Sequence, residues 1–502
     1  MIHSFLKKQD YTKLKLLQYI GNKKKTNIQE LMVTFDLSRA SIKRSIVEIN
    51  TFLDSSLDSS ICKINQDSLF DFYLESSTKI NLTIIYHKYL YYFLSNSLSF
   101  QILVELFNNK SLSLNKLSSV LFISNNRCYK LIVQLNKALA FYQLTIQIND
   151  NLIEVNGDEQ NIRFMYWYLL FHGTQNLNWP LSYVPHNLIK NTFSLYRDRY
   201  LLNKPLSTQS SVDFYLAILY VRLNKGNYQP FFKTLSSSIL QSLLDVHDIT
   251  YALKHFPINI PTINNNELEH NERKSFNLIM RFLDSEIDTM EEKIKIGNTF
   301  LKKNHPVTIF YKKLNTAFIN NYLKKDVENI LPLFMYYTVL YHEFSYNYSY
   351  SQDDIIKMNP LNHNNLIYET SNFSIDLKNY IYTFVEAYPA FTFSLPKTTL
   401  QIIGVLHYSL YISYYKDYLS VFVQYSKTPI GNSFIKGKLR HVFNDESLIF
   451  TSCIEHADII ISDSIEYEKK EGNTFFLEDI YNVSLWKELY IFIQELLFEL
   501  YL

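Results

Sequence analysis

Apolar residues open the chain at helical spacing. Tyr11 to Ile20 places Leu14, Leu17 and Ile20 on one inward face, and Ile28, Leu31 and Phe35 share one face of a second helix. Asp36-Leu37 then makes a short turn. Ser38 has the side chain to cap a third helix whose Ile42, Ile46 and Ile49 point to a core while Arg39, Lys43 and Arg44 point away. Alternation over Ile61 to Leu74 predicts two strands. Together these form a helix-turn-helix with a wing, and its last helix has the basic outward face suited to a major groove.

The pattern recurs at an offset of 86 residues, after two more helical stretches between Ile80 and Phe107. Ile28, Leu31, Phe35, Leu37, Ser38, Ile46, Val47, Ile49 and Asn50 correspond to Leu114, Leu117, Leu121, Ile123, Ser124, Ile132, Val133, Leu135 and Asn136. The second copy has its wing at Leu144 to Ile148 and Leu152 to Val155. Its outward helix residues are Asn125, Asn126, Arg127 and Lys130. DNA-contact candidates are therefore Ser38, Arg39, Ser41, Lys43, Arg44, Asn125, Asn126, Arg127 and Lys130. The arginines and asparagines among them are the types that make bidentate base contacts.

Helical periodicity continues over Val212–Leu223, Ile239–Leu253, Phe276–Phe282 and Val327–Leu340, with prolines expected between such segments and not inside long ones. The breaker-rich stretch Phe256 to Asn271 divides this region into two bundles. Beyond it the texture changes. Leu419–Gln424, Ala457–Asp463 and Phe475–Leu477 read as strands around a helix at Ile430–Phe443, before a terminal helix at Leu485–Leu502. That alternation predicts a small parallel α/β domain.

Charge adds a local message only. The net charge is +1, yet residues 1–50 hold ten Lys/Arg against four acids, so the remainder is slightly acidic. Three distant cysteines, Cys62, Cys128 and Cys453, show neither a disulfide framework nor metal spacing, which fits a reducing cytoplasm. No secretion signal or membrane span is expected, since the apolar runs, such as Leu331–Leu340, are too short. His342 sits in His-Glu-Phe-Ser-Tyr, which is not the spacing of a zinc protease. Five residues separate Gly431 from Gly437, one too many for a phosphate-binding Walker loop, and the Ser/Thr after Lys438 is missing. Neither a catalytic residue, nor a metal, nor a cofactor is expected.

The tandem repeat followed by I-E-V-N-G-D-E-Q-N-I-R-F-M-Y-W-Y-L-L, Ile153 to Leu170, resembles the Mga/AtxA family of bacterial transcriptional regulators. The N-G-D-E-x-x-I-R element, Asn156 to Arg163, is the most specific match. The resemblance implies that this element closes a second DNA-binding domain. It also implies two helical phosphotransferase-system regulation domains, and a C-terminal domain similar to the B subunit of sugar enzyme II through which related regulators self-associate. Related antiterminators carry a phosphorylatable histidine near the position of Tyr215, which is not histidine here. Family B subunits carry a phosphocysteine after their first strand, where this chain has Tyr425-Ser426-Lys427-Thr428. Of thirteen histidines, His342 is the preferred regulatory phosphosite, with His363 and His186 behind it.

The expected fold is multidomain and mainly α, with two winged helix-turn-helix domains (1–78 and 79–163), two helical-bundle regulation domains (164–268 and 269–392) and a C-terminal α/β domain with a parallel sheet (398–502). The expected function is transcriptional regulation by binding double-stranded promoter DNA, without membrane association. Expected partners are a second copy bound through the C-terminal domain, as a homodimer or higher oligomer, and a phosphotransferase-system phosphocarrier. The alternatives are an architectural DNA-binding protein and a phosphocarrier or enzyme component of sugar transport.

Overall fold

The computed structural model describes all residues except 1, 24, 57–61, 68–70, 77–81, 110–111, 151, 175, 230–233, 254–265, 324–326, 349–371, 389–402, 405, 412–417, 445–446, 465–472 and 502. It is mainly helical with a small parallel sheet near the C-terminus. The chain divides into two compact units, Met1–Lys303 with Val339–His363, and Asn304–Thr338 with Asn364–Leu502.

The first unit opens with α1 (Lys8–Asn22), β1 (Thr26–Asn27), α2 (Ile28–Phe35), α3 (Arg39–Ser56), β2 (Cys62–Gln66) and β3 (Asp71–Ser76). Leu14, Leu17, Ile20, Leu31, Ile42 and Ile49 are fully buried, so the apolar face read from the periodicity is the core. β2 and β3 pair antiparallel, with Ile64 opposite Leu74, and β1 adds to the outer edge of β3. The helices α4 (Leu82–Ser95) and α5 (Leu98–Asn108) lead to the second copy: β4 (Leu112–Ser113), α6 (Leu114–Val120), α7 (Asn125–Leu139), β5 (Thr145–Asn149) and β6 (Leu152–Asn156). Its three-stranded sheet repeats the first in topology, β4-β6-β5 matching β1-β3-β2.

From β6 the chain turns through Gly157, whose φ of 147° and whose place against the Gln143 carbonyl, 3.0 Å from where a Cβ would stand, both require glycine. It then enters α8 (Glu159–Thr174). This helix is continuous across residue 163, where the second winged domain was expected to end, and 14 of its 16 residues are buried, so it faces protein on every side. The unit continues with α9 (His186–Thr192), α10 (Ser194–Tyr200), α11 (Leu206–Asn224), α12 (Thr234–His247), α13 (Asn266–Leu283) and α14 (Met290–Lys302).

Two expectations require correction here. Of the breaker-rich stretch Phe256 to Asn271, residues 256–265 lie outside the described residues, while Asn266 to Asn271 open α13, where Glu267 and Glu269 suit the positive end of the helix dipole. Pro332 stands inside a helix, not between helices. After α15 (Pro306–Phe318), α16 runs Val327–Tyr348, and Pro332 lies in its second turn, where the missing N–H leaves the Glu328 carbonyl without its usual donor.

The second unit holds α15, the first part of α16, α17 (Asn372–Glu386) and the C-terminal sheet. β7 (Leu419–Gln424), α18 (Gly431–Arg440), β8 (Leu448–Thr451), β9 (Ile459–Ser462), β10 (Thr474–Phe476) and α19 (Val483–Tyr501) follow in order. Strand order is β10-β9-β7-β8, every pairing parallel, with Val421 opposite Ile459 and Leu419 opposite Leu448. β9 is buried along its whole length, as a central parallel strand covered on both faces must be. From α19, Trp486, Leu489 and Ile493 are buried in the domain's own core, and Phe492, Leu496 and Leu497 pack against it. Most of the broad apolar face of this helix is thus used internally.

Candidate nucleic-acid interface

Each helix-turn-helix is built from the same local devices. In the first, Asn27 Oδ1 accepts from the Glu30 N–H at 2.8 Å and caps α2. Asp36 adopts the left-handed conformation at φ 51°, tolerable for Asp, and ends that helix. Ser38 Oγ then accepts from the Ser41 N–H at 3.3 Å and caps α3. In the second copy Ser113 caps α6, Phe122 takes the left-handed position at φ 53°, and Ser124 caps α7.

The last helix of each motif is tied to its wing by one asparagine. Asn50 Nδ2 donates to the Ile64 carbonyl and its Oδ1 accepts from the Ile64 N–H, both at 2.9 Å. Asn136 does the same to Ile146, at 3.0 and 2.6 Å. The repeat pairs Asn50 with Asn136, but nothing in a sequence period says that this pair holds helix to strand. Sequence reasoning missed that role, and the signal was a polar residue kept at the edge of an otherwise apolar face.

Electrostatics separate the outward basic residues from the other cations of the motif. Lys13, Lys23 and Lys25 are paired with Glu48, Glu30 and Asp67. Bonds from Lys23, then Tyr19 and Thr26, push Glu30 down to about 2. In contrast, Arg39, Lys43, Arg44, Arg127 and Lys130 are exposed, and none has an ion-pair partner among the described residues. Positive charge without an internal partner therefore gathers on α3 and α7.

Not every candidate is equally available. Asn126, Arg127 and Lys130 lie open on α7. Asn125 is exposed, but its Nδ2 donates to Asn115 Oδ1 at 2.6 Å and its Oδ1 accepts from the Ser118 hydroxyl, so its amide holds α6 to α7. Ser41 is half-buried, its hydroxyl 2.9 Å from that of Ser38. Tyr129, 53% exposed, stands among the basic residues of α7 and was not singled out by the sequence pattern.

Residues 1–68 and 82–171 match the model of the Mga helix-turn-helix domain. These residues belong to that family. No curated protein matches the chain significantly. The Mga match covers both helix-turn-helix copies and runs on into α8, which makes the chain a DNA-binding transcriptional regulator.

Near the end of the Mga region, Arg163 on α8 is fully buried between Glu159 and Glu272. It donates to Glu159 at 2.8 Å and to both oxygens of Glu272, at 2.6 and 2.9 Å, while Arg222 on α11 closes on Glu159 at 2.6 and 3.0 Å. Lys225 donates to the carbonyls of Phe107 and Asn109 at the end of α5, and burial, with Arg222 nearby, pushes it down to about 8.

The three candidate phosphosites differ in setting. His342 is 5% exposed, with its ring stacked on Tyr346, so a phosphoryl donor does not reach it in this conformation. His363 lies outside the described residues. His186 is partly exposed, its Nε2 2.8 Å from Asp213 Oδ2 and its ring stacked on Trp179, while Arg197 also binds Asp213.

In the C-terminal sheet, the loop after β7 is closed by a carboxylate. Asp463 Oδ2 accepts from the backbone N–H of Ser426 and Lys427 at 2.8 and 3.1 Å and from the Ser426 hydroxyl at 3.0 Å. Burial works against its ionised form, but these bonds outweigh it and hold Asp463 below the usual carboxylate range. Donors that could cradle a phosphoryl group are thus committed to a negative charge. His247, Asp288 and Glu292 bring ligand atoms within 4.8 Å of one another, but Arg281 already holds both oxygens of Asp288, at 2.6 and 3.0 Å. Among the described residues no helix is long and apolar enough to cross a membrane.

Proposed function

We propose that the chain is a regulator of the Mga/AtxA type that lays α3 and α7 in major grooves of promoter DNA. The observation that carries this reading is the twofold recurrence of one device: a serine-capped helix, clamped to its wing by asparagine, presenting basic side chains with no internal partner. Arg39, Lys43, Arg44, Asn126, Arg127 and Lys130 are its contacts, while Ser38 and Ser41 hold the end of α3 whose dipole favours a phosphate. Two copies on one chain, doubled by pairing through residues 398–502, set four such helices on one DNA segment and raise affinity by avidity. Ile491 and Phe498, 54% and 63% exposed on α19, are apolar residues available for that pairing.

The test compares Lys43→Ala/Arg44→Ala and Arg127→Ala/Lys130→Ala with the parent on a promoter fragment across a salt series. Each pair removes two cations per chain, so the slope of log K against log salt should flatten by about two for each chain bound, with folding intact. Unchanged slopes in both variants would sink the assignment of α3 and α7.

The helical region of the first unit supports phosphocontrol at His186 better than at His342. A phosphoryl group on His186 adds nearly two negative charges beside Asp213, which loosens α9 from α11. Incubating the full chain with phosphoenolpyruvate and phosphotransferase-system carriers should label His186. Equal labelling of His186→Ala would place the modification elsewhere.

A further inference from the structure

Between residues 26–56 and 112–142 the two copies are identical at only six positions when aligned at the offset of 86. Five of these have a structural task. Leu31 with Leu117, Ile46 with Ile132 and Leu53 with Leu139 are core pairs, each residue at most 6% exposed. Ser38 with Ser124 caps, and Asn50 with Asn136 clamps the wing. The sixth pair, Val47 with Val133, has none: the two valines are 64% and 46% exposed.

An exposed β-branched residue is a mediocre choice for a helix, which would be better served by Ala, Lys or Glu. A lone exposed valine calls for no explanation. The same residue kept at the same register, while almost every outward neighbour changes, does. Val47 lies three residues after Arg44 and seven after Ala40, and Val133 three after Lys130 and seven after Asn126, so each valine shares the outward helix face with a basic side chain. On a helix lying in a major groove that face meets base edges. The apolar group presented there is the 5-methyl of thymine.

We infer that Val47 and Val133 read thymine methyl groups, one in each half of the bound site, while Arg44 and Lys130 anchor the same helices to phosphate or guanine. This rests on the DNA-reading role proposed above for α3 and α7. The ligand is thus a duplex with thymine at a fixed step from the basic contact in both halves. The valines select sequence, and the basic residues supply most of the affinity.

The experiment enriches duplexes from a random-sequence library on the full chain, then resynthesises the best duplex with deoxyuridine for thymidine, which removes the methyls and keeps base pairing. The parent should bind the uridine duplex about fourfold more weakly per methyl lost, about fifteenfold for two. Val47→Ser/Val133→Ser should bind both duplexes alike, at about the parent's affinity for the uridine form. Val47→Thr/Val133→Thr, which keeps a methyl, should retain part of the discrimination. Equal binding of both duplexes by the parent, or an undiminished preference for thymidine in the serine variant, overturns the inference while DNA reading stands. Enrichment of no duplex at all overturns both.

Discussion

Replacing Asn136 by alanine removes two hydrogen bonds, 3.0 and 2.6 Å long, and leaves the Ile146 N–H and carbonyl without a partner on the side of β5 that faces α7. An unmade bond to a buried backbone group costs about 1–3 kcal/mol, and these groups are only part-buried, so the low end applies to each. The sum of about 2 kcal/mol raises the opening of the wing about thirtyfold. Hydrogen exchange of the Ile146 amide reads that directly, because protection by local opening falls by the same factor. Asn50→Ala should act alike at Ile64, whose bonds are both 2.9 Å, and the two effects should add because the wings are separate. Asn136→Asp separates the contributions: it keeps an acceptor for the Ile146 N–H but sets a negative charge against the carbonyl, so it should open the wing no less than alanine. Unchanged protection over residues 145–149 in Asn136→Ala would refute the reasoning, for the wing would then be held by strand pairing alone.

Three other outcomes follow from buried or exposed groups. Arg163→Met leaves Glu159 its pairing with Arg222 but strands Glu272 in the interior, and should cost about 3–5 kcal/mol in urea unfolding, with Arg163→Lys no adequate rescue because one ammonium cannot replace the forked contact; a loss below about 1 kcal/mol would mean the carboxylate finds water. Glu343 is fully buried, and burial raises it to about 7 against bonds from Ser236 and Asn347, so the folded state holds more protons than the unfolded one between about pH 4.5 and 7 and stability falls as pH rises through that window. Glu343→Gln should therefore gain on the order of 3 kcal/mol at pH 8 and almost nothing at pH 4, as read by thermal unfolding at the two pH values. Ile491→Lys with Phe498→Lys should turn the proposed dimer into a monomer in sedimentation without unfolding the C-terminal sheet, since both side chains are exposed, and a variant that stays dimeric moves the interface elsewhere.

Much of the helix-turn-helix architecture is legible because its information is local. Ser38 and Ser124 cap because a hydroxyl at that step meets the right N–H, and a period of apolar residues fixes which face of α3 and α7 is buried. The parallel sheet is legible in the same way from Ile459 to Ser462, though β8, Leu448 to Thr451, is not read from the sequence. Relations across the chain are the illegible part. Arg163 stands in a helix-like pattern whose next charged neighbour is Glu159, and its partner Glu272 is 109 residues away. Asn125 looks like a base reader by type and position, yet Asn115 and Ser118, seven to ten residues earlier, claim its amide. Burial of His342 likewise depends on what packs beside it, which periodicity along one helix does not contain.

α8 joins the DNA reader to the helical region in a way that makes a final prediction. Gly157 separates β6 of the second wing from α8 by a turn that only glycine takes, and the helix, buried on all sides, cannot rotate without its neighbours moving. Glu159 in its first turn is gripped by Arg222, which lies nine residues, about 13 Å of helix, along α11 from Asp213, the partner of His186. A phosphoryl group on His186 would push on Asp213, and a shift of α11 would be felt at Arg222, then at Glu159, then at the wing. Spatial continuity alone does not establish coupling, so the measurement must be made at both ends. Phosphorylating His186 should change hydrogen exchange over residues 145–156 in the parent. In Arg222→Gln the same phosphorylation should leave that segment's exchange unaltered, because the ion pair from α11 to Glu159 is cut while the Trp167–Ser211 bond between the two helices and the grip of Arg163 on Glu272 remain. Should the wing respond equally in both proteins, the signal does not pass through this ion pair.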